Sequence, residues 1–350
     1  MAFYATRKFN YWGQLGMLLA CCGAGLIIGG LFSLIPLASS LKDALSSKSG
    51  TGGIMKSLMR PENAGALRWS QCISTLFLFF LPPVAYAKLC HIKAFTHLGF
   101  THPYQPVKPD GTNLLVQLLL VIFIMMASLP VVSALQELTS MLPWSKSTLQ
   151  HFKDAEDEYN KLVAVIARMD SFTDYLISVL VIALLPAVFE ETLFRGGIQN
   201  LLSRWFKMPV LAIVVTAIVF SAVHGSYMGF LSRFALGFVL GWFYYKTGNI
   251  WLNITGHFIN NAVAVTALYL TTKKGEIVDP AKIDDHFPLW IGLVSLAAVV
   301  GLFVLFDKVG KKSEFRPGEE VQIPGVNNTN NPFEKDIAAI GNDPQNPQNP

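Results

Sequence analysis

Charged residues are scarce in this chain of 350 residues. Asp, Glu, Lys and Arg make up 14% of it and apolar residues 52%, whereas about 25% of an ordinary soluble protein is charged. No charge occurs between Lys8 and Lys42 or between Asp110 and Glu137. Gaps of this length exclude an ordinary soluble enzyme and indicate a chain embedded among membrane lipids. The net charge of +4 is small and scattered, which argues against nucleic acid as a partner.

Several motifs of soluble hydrolases are also missing. The sequence contains no G-x-S-x-G nucleophile pattern and no H-E-x-x-H zinc-protease pattern, so it gives little support to a covalent mechanism or to a soluble zinc protease. The four cysteines show no C-x-x-C spacing, which argues against a disulfide framework or a zinc cluster. A group of histidines around one cysteine fits no metal-binding pattern, and we interpret it as a wet, basic loop: Cys90, His91, His97 and His102.

Long apolar runs dominate what is present. A transmembrane helix needs about 20 mainly apolar residues, and this criterion predicts an all-α, polytopic integral membrane protein with about eight transmembrane helices. The predicted helices cover residues 12–38, 70–88, 113–136, 173–203, 208–225, 227–246, 249–272 and 287–307. The fourth is expected to be one long helix, although Glu190 and Glu191 interrupt its apolar run. Two long polar loops, residues 39–69 and 137–171, are expected to be solvated.

Ionisable groups at membrane depth are costly, so they are candidates for a functional site. Glu191 and Arg195 are four residues apart on one helix face and can pair, which leaves Glu190 about 100° around the helix. Two further helices carry a polar group each, namely His224 after Phe220 and the pair His257 and Asn261. A rise of about 1.5 Å per residue from the polar turns brings these groups to depths that helix tilt can equalise.

Such a set of side chains suits hydrolysis. A carboxylate in an apolar cavity can act as a general base on water, one imidazole can hold that water, and a second imidazole with a carboxamide can donate hydrogen bonds to an oxyanion. Alternatively, Glu190, His224 and His257 can bind a divalent metal such as zinc. The residues leave both possibilities open.

The three motifs resemble the signature of a known family. Glu190-Glu191-x-x-x-Arg195, Phe220-x-x-x-His224 and His257-x-x-x-Asn261, in this order on separate helices, are similar to those of the CAAX-protease and bacteriocin-processing family of intramembrane proteases, called CPBP or Abi. The resemblance implies an endopeptidase acting on peptide or protein substrates, which are prenylated in eukaryotic members. It also implies that Glu190 and His224 activate water, His257 and Asn261 form the oxyanion site, and Glu191 and Arg195 support it.

The resemblance covers about residues 173–265 and suggests a division of the chain. Residues 1–172 would hold the first three helices and polar loops, 173–272 the catalytic core, 273–312 the last helix, and 313–350 a disordered polar tail. We expect the protein to reside in a bacterial cytoplasmic membrane.

Other interpretations are compatible with the sequence. A secondary transporter could use the same midplane Glu, His and Asn side chains to bind a proton or cation. A non-catalytic scaffold or immunity protein could sequester a peptide, and Glu190 and His224 would then be dispensable. For Arg233, snorkelling to the membrane interface is favoured over binding a substrate carboxylate or pairing with Glu191.

Overall fold

A computed structural model describes residues 9–46, 57–58, 60–91, 94–101, 111–272 and 287–310, and this part of the chain forms helices and no β-strand. The tail predicted for residues 313–350 lies outside the described residues, as does His102. The α-helices are α1 Tyr11–Ser33, α2 Ala38–Ser46, α3 Ala64–Thr75, α4 Leu81–Cys90, α5 Ala94–His97, α6 Gly111–Met141, α7 Lys146–Ile166, α8 Phe172–Ser178, α9 Leu185–Glu191, α10 Asn200–Phe206, α11 Pro209–Val223, α12 Phe230–Thr247, α13 Ile250–Thr272 and α14 Leu289–Gly310.

Segments of π-helix join several of these helices into longer runs. They span Leu76–Phe80, Val179–Leu184 and Thr192–Gln199. The first two end just before prolines, Pro82 in α4 and Pro186 in α9. Proline lacks the backbone N–H that an α-helix needs, and a wider π turn accommodates that loss without ending the helix. The run from Phe172 to Phe206 is therefore continuous, which confirms the prediction of one long helix carrying charge mid-way.

Apolar helices long enough to cross a membrane confirm an integral membrane protein, but the predicted count of about eight is not confirmed. Five candidate spans occur in the described residues: Tyr11–Lys42, Pro61–Cys90, Leu114–Met141, Phe172–Phe206 and Leu289–Val309. The other three predicted segments are helical as well. However, α11 has only 15 residues, and α12 and α13 carry arginine, lysine, histidine and asparagine that lower their hydropathy.

The first and third helices of the fold meet at very short range. A Cβ atom added at Gly25 of α1 would collide with the backbone oxygen of Phe77, and one added at Gly29 would collide with the Phe77 side chain. Glycine is required at both positions because α1 and the π segment Leu76–Phe80 touch backbone to backbone.

The core around the motif-bearing helices is built from large apolar side chains. The π segment Thr192–Gln199 packs against α4 and α11, while α13 lies along the segment Val179–Leu184 and beside α12. Phe194, Phe220 and Leu201 are buried together in one apolar cluster. This packing brings α9, α11 and α13 side by side, and these helices carry the three motifs.

Two expectations for the polar segments were wrong. Residues 137–171 do not form a solvated loop, because α6 continues to Met141 and most of the remainder is the helix α7. The loop around Cys90 is not wet, since Cys90, His91 and His97 are all buried. His91 and His97 stack with ring centroids 3.4 Å apart, and His91 contacts the hydroxyl of Tyr86.

Candidate active site

The carboxylate of Glu190 lies at the centre of the site. Glu190 is 8% exposed, and its buried Oε2 atom has no hydrogen-bond partner in the protein. This oxygen is 3.7 Å from Nε2 of His224 and 3.9 Å from Nε2 of His257. Both separations exceed a direct hydrogen bond. The structure thus brings together the three side chains that the sequence motifs predicted would converge.

His224 is oriented by the end of its own helix. It is the C-cap residue of α11, and its Nδ1 atom lies 2.7 Å from the carbonyl oxygen of Phe220. Because a carbonyl oxygen only accepts, Nδ1 carries the hydrogen and donates it. In the neutral ring, Nε2 then presents a lone pair on the side of Glu190. The alternative that His224 is only an interfacial cap does not account for this orientation.

His257 is held by a buried pair of opposite charges. Its Nδ1 atom is 2.8 Å from Oε1 of Glu191, and the same oxygen accepts a hydrogen bond of 2.7 Å from Arg195 Nη1. Arg195 Nη2 also donates to the Gly237 carbonyl of α12 at 3.0 Å. The predicted pairing of Glu191 with Arg195 is thereby confirmed. It leaves Arg233 without Glu191 as a partner.

Three hydrogen-bond acceptors consequently face one another when both rings are neutral. They are Glu190 Oε2 and the Nε2 atoms of His224 and His257. Such a grouping favours a hydrogen-bond donor between its members, and a water molecule can donate to two of them at once. An imidazolium would serve the same purpose, because a protonated Nε2 donates to the carboxylate.

A divalent metal would find suitable donor types in the same place. One carboxylate and two imidazoles are typical ligands of zinc, and Glu190, His224 and His257 would hold the ion and let it act as a Lewis acid. Within the ranges that the structure describes, however, no three His, Cys, Asp or Glu side chains are arranged to hold a metal ion. The chemistry is therefore developed below from the side chains alone.

Asn261 lies one turn beyond His257 on α13. Its Oδ1 atom accepts a hydrogen bond of 3.3 Å from the Asn260 side chain, which leaves the Asn261 amide group available as a donor. Among the described residues, no hydrogen bond joins Asn261 to Glu190, His224 or His257. The structure therefore leaves its predicted oxyanion role open.

Sequence reasoning missed the contact between α7 and the turn that follows His224. Glu156 of α7 accepts hydrogen bonds from Ser226 Oγ at 2.8 and 3.1 Å, and Phe152 stacks on Tyr227. The signal for α7 was present in the sequence. Ser145 is a typical N-cap, with its hydroxyl accepting from the Thr148 N–H, and it precedes a helical pattern of apolar residues.

Comparison with known proteins identifies the class to which this arrangement belongs. Residues 172–263 match the family model described as type II CAAX prenyl endopeptidase Rce1-like. The chain belongs to this family through that domain, which contains all three motifs. The expected resemblance to CAAX-type membrane proteases is confirmed.

Two bacterial relatives are similar in sequence. The uncharacterized protein YpbD of Bacillus subtilis is 34% identical over 112 residues, which cover 31% of this chain and about half, 52%, of YpbD. A protein of Brevibacillus brevis named lipoprotein signal peptidase is 30% identical over 170 residues, which cover 44% of this chain and 98% of the relative. No solved structure gives a significant match.

Proposed function

We propose that this protein is an intramembrane endopeptidase that hydrolyses peptide bonds with a water molecule activated by Glu190 and His224. The observation that carries the proposal is the buried, unpartnered Oε2 atom of Glu190 between two imidazole nitrogens. The match to a CAAX endopeptidase family and the similarity to a protein named as a signal peptidase support peptide bonds as the target.

The reaction can be written with these side chains. Glu190 accepts a proton from the water, whose position His224 fixes through its Nε2 lone pair, and the resulting hydroxide attacks the peptide carbonyl carbon. The carbonyl oxygen becomes an oxyanion in the tetrahedral intermediate. When the C–N bond breaks, Glu190 returns its proton to the leaving amine, so a carboxylate and an amine are formed and the catalyst is restored.

The second imidazole and the carboxamide are proposed to stabilise the oxyanion. His257 can donate from Nε2 when protonated, and its position between Glu190 and Glu191 favours that charge by Coulomb attraction. Asn261 can donate through its amide, which Asn260 orients. Glu191 and Arg195 act as positioning residues, because they fix the ring of His257 without facing Glu190 themselves.

We infer the substrates and the location from the same evidence. The family description indicates peptide or protein substrates, including lipid-modified ones, that reach the site from the surrounding membrane. Both relatives come from bacteria. A bacterial cytoplasmic membrane is the proposed location.

The test compares purified wild type with Glu190→Gln on a peptide library, with cleavage read by mass spectrometry. Wild type is expected to cleave, and Glu190→Gln is expected to lose at least about a thousandfold in rate because the amide cannot accept the proton of water. A Glu158→Gln variant is the matched control, since Glu158 is an exposed residue of α7 paired with Lys161. A chelator added in parallel shows whether cleavage depends on a metal.

The same series tests the oxyanion site. Asn261→Ala is expected to lower kcat by about a hundredfold, the effect of removing one oxyanion donor worth about 3 kcal/mol. Asn260→Ala should cost less, because it removes only the hydrogen bond that orients Asn261. Equal cleavage by wild type and Glu190→Gln would overturn the proposal. Folded protein that cleaves nothing but moves protons or cations across vesicles would instead support the transporter interpretation.

A further inference from the structure

Arg233 stands apart from the other arginines that the structure describes. Each of the others has an oxygen partner: Arg60 with Glu62, Arg168 with Asp170, Arg195 with Glu191, Arg204 with Asn200, and Arg68 with the Ile166 carbonyl. The guanidinium of Arg233 makes no hydrogen bond or ion pair with the described residues, and its Nη1 atom is buried. An unpaired, partly desolvated cation is costly, so it requires an explanation.

The surroundings hold Arg233 in place without neutralising it. Its guanidinium lies over the ring of Tyr159 on α7, 5.8 Å from the ring centroid. A cation–π contact of this kind fixes the position of the group but leaves its N–H groups available. Glu156, on the same face of α7, accepts from Ser226 instead and forms no ion pair with Arg233. A Cβ atom added at Gly229 would collide with Nη1, so the guanidinium fills the space beside this glycine.

Arg233 is also close to the reacting groups. It lies in the first turn of α12, just after the turn that begins at His224, and Ser221 Oγ ties this turn to the Phe230 carbonyl. Its charge interacts electrostatically with the imidazole of His224. A peptide bond that meets Glu190 and His224 would therefore place its neighbouring residues near this cation.

We propose that Arg233 binds a carboxylate of the peptide substrate, within a few residues of the scissile bond. This inference rests on the proposed function and names the substrate class, which is a peptide with a free C-terminus or an acidic side chain near the cleaved bond. Two parallel N–H groups of a guanidinium match the two oxygens of a carboxylate. The bound carboxylate would supply the partner that Nη1 lacks, and binding would align the peptide on the Glu190 and His224 pair.

The experiment measures kcat/KM for one cleaved sequence prepared in three forms, with a C-terminal acid, with a C-terminal amide, and as the amide with one Asp near the scissile bond. Wild type is expected to prefer a carboxylate form by about tenfold or more, the usual strength of hydrogen bonds to a charged group. Comparison of the acid and Asp forms shows which carboxylate is recognised. Arg233→Gln should reduce the preference to about one, mainly through KM.

Matched variants separate charge from position. Gly229→Ala keeps the charge but displaces the guanidinium, so it should also weaken the preference. Arg168→Gln removes an arginine that pairs with Asp170 in the segment between α7 and α8, and it should keep the wild-type preference. The proposal is overturned if wild type shows no preference, if Arg233→Gln keeps it, or if Arg168→Gln loses it equally.

Two further arms identify other causes. Nanodiscs of phosphatidylcholine with and without phosphatidylglycerol test a lipid phosphate as the partner. If Arg233→Gln changes only the response to anionic lipid, the peptide proposal is wrong. Binding of the three peptides to Glu190→Gln, with and without Arg233→Gln, separates this inference from the proposed function. Carboxylate-dependent binding without wild-type cleavage would sustain the Arg233 site and overturn the hydrolase assignment, whereas cleavage without carboxylate preference would do the opposite.

Discussion

Adjacent carboxylates in one motif have different environments. Glu191 is fully buried and accepts hydrogen bonds from Arg195 and His257 through the same oxygen, whereas Oε2 of Glu190 has no partner in the protein. A paired charge stabilises the buried structure, and an unpaired one is available for chemistry. The motif thus combines a structural and a reactive residue in neighbouring positions.

Replacement of Glu191 by Gln should therefore affect stability more than replacement of Glu190. Glu191→Gln leaves the Arg195 guanidinium buried without its counter-charge, which costs about 3–5 kcal/mol. The measurement is thermal unfolding of the detergent-solubilised protein, followed by tryptophan fluorescence. Glu158→Gln, which breaks only the exposed pair with Lys161, should change stability by less than about 1 kcal/mol. Equal melting temperatures for Glu191→Gln and Glu158→Gln would contradict the structural role.

The sequence predicted the convergence of Glu190, His224 and His257 because each is too costly to place in a membrane without a purpose. Pairing of Glu191 with Arg195 followed from their spacing alone. The choice of ring nitrogen in each histidine could not be predicted, because it depends on the Phe220 carbonyl and on Glu191 in the folded site. The unpaired state of Arg233 was equally invisible, since it depends on how α7 packs.

At the scale of elements, apolar runs predicted the helices well, and the local hydrogen-bond pattern was beyond them. Each of the eight predicted segments is helical, but nothing in the composition of Thr192–Gln199 distinguishes a π turn from an α turn. The helix α7 was missed for another reason. Its polar composition was interpreted as a loop, whereas its apolar residues recur with helical spacing and pack on the turn after His224.

The contact of α7 with this turn is expected to depend on Glu156. Glu156→Ala removes the acceptor of Ser226 Oγ, which also accepts from the Gly229 N–H, so the turn should open more often. Hydrogen exchange of the Gly229 amide is expected to become faster by about tenfold, the effect of losing a hydrogen bond to a charged group. Glu158→Ala on the exposed face of α7 is the control. Unchanged exchange in Glu156→Ala would show that the contact does not restrain the turn.

At the scale of the molecule, a buried polar network joins distant parts of the chain. Arg204 of α10 donates to Gln14 of α1 and to the Tyr86 hydroxyl of α4, and Tyr86 also contacts His91. His97 stacks on His91 and is buried. Neither hydropathy nor motif spacing could predict this network, because its members lie up to 190 residues apart in sequence.

His97 should make stability depend on pH. Burial, together with the nearby His91 and Arg204, lowers the pKa of His97 well below its ordinary value of 6.5. The folded protein keeps this ring neutral, while the unfolded chain binds a proton below pH 6.5, so stability is lost as the pH falls from 7 to 5. The contribution is at most about 1.4 kcal/mol per pH unit.

Melting temperatures of wild type and His97→Phe between pH 7.5 and 5 provide the measurement. The variant keeps an aromatic ring beside His91 and should show a shallower loss of stability at low pH. His151→Phe, at an exposed position of α7, should keep the wild-type profile. Parallel profiles for wild type and His97→Phe would exclude this histidine as the source.

The glycine contact between α1 and the segment Leu76–Phe80 has a mechanical consequence. Helices that meet through side chains can shift when those side chains rotate, but Gly25 and Phe77 meet with no such layer between them. This joint is stiff, and it anchors the α1 side of the molecule. Movement that admits a peptide is therefore directed to the opposite side, where one hydrogen-bonded turn and the helix α7 form a compliant border next to Glu190.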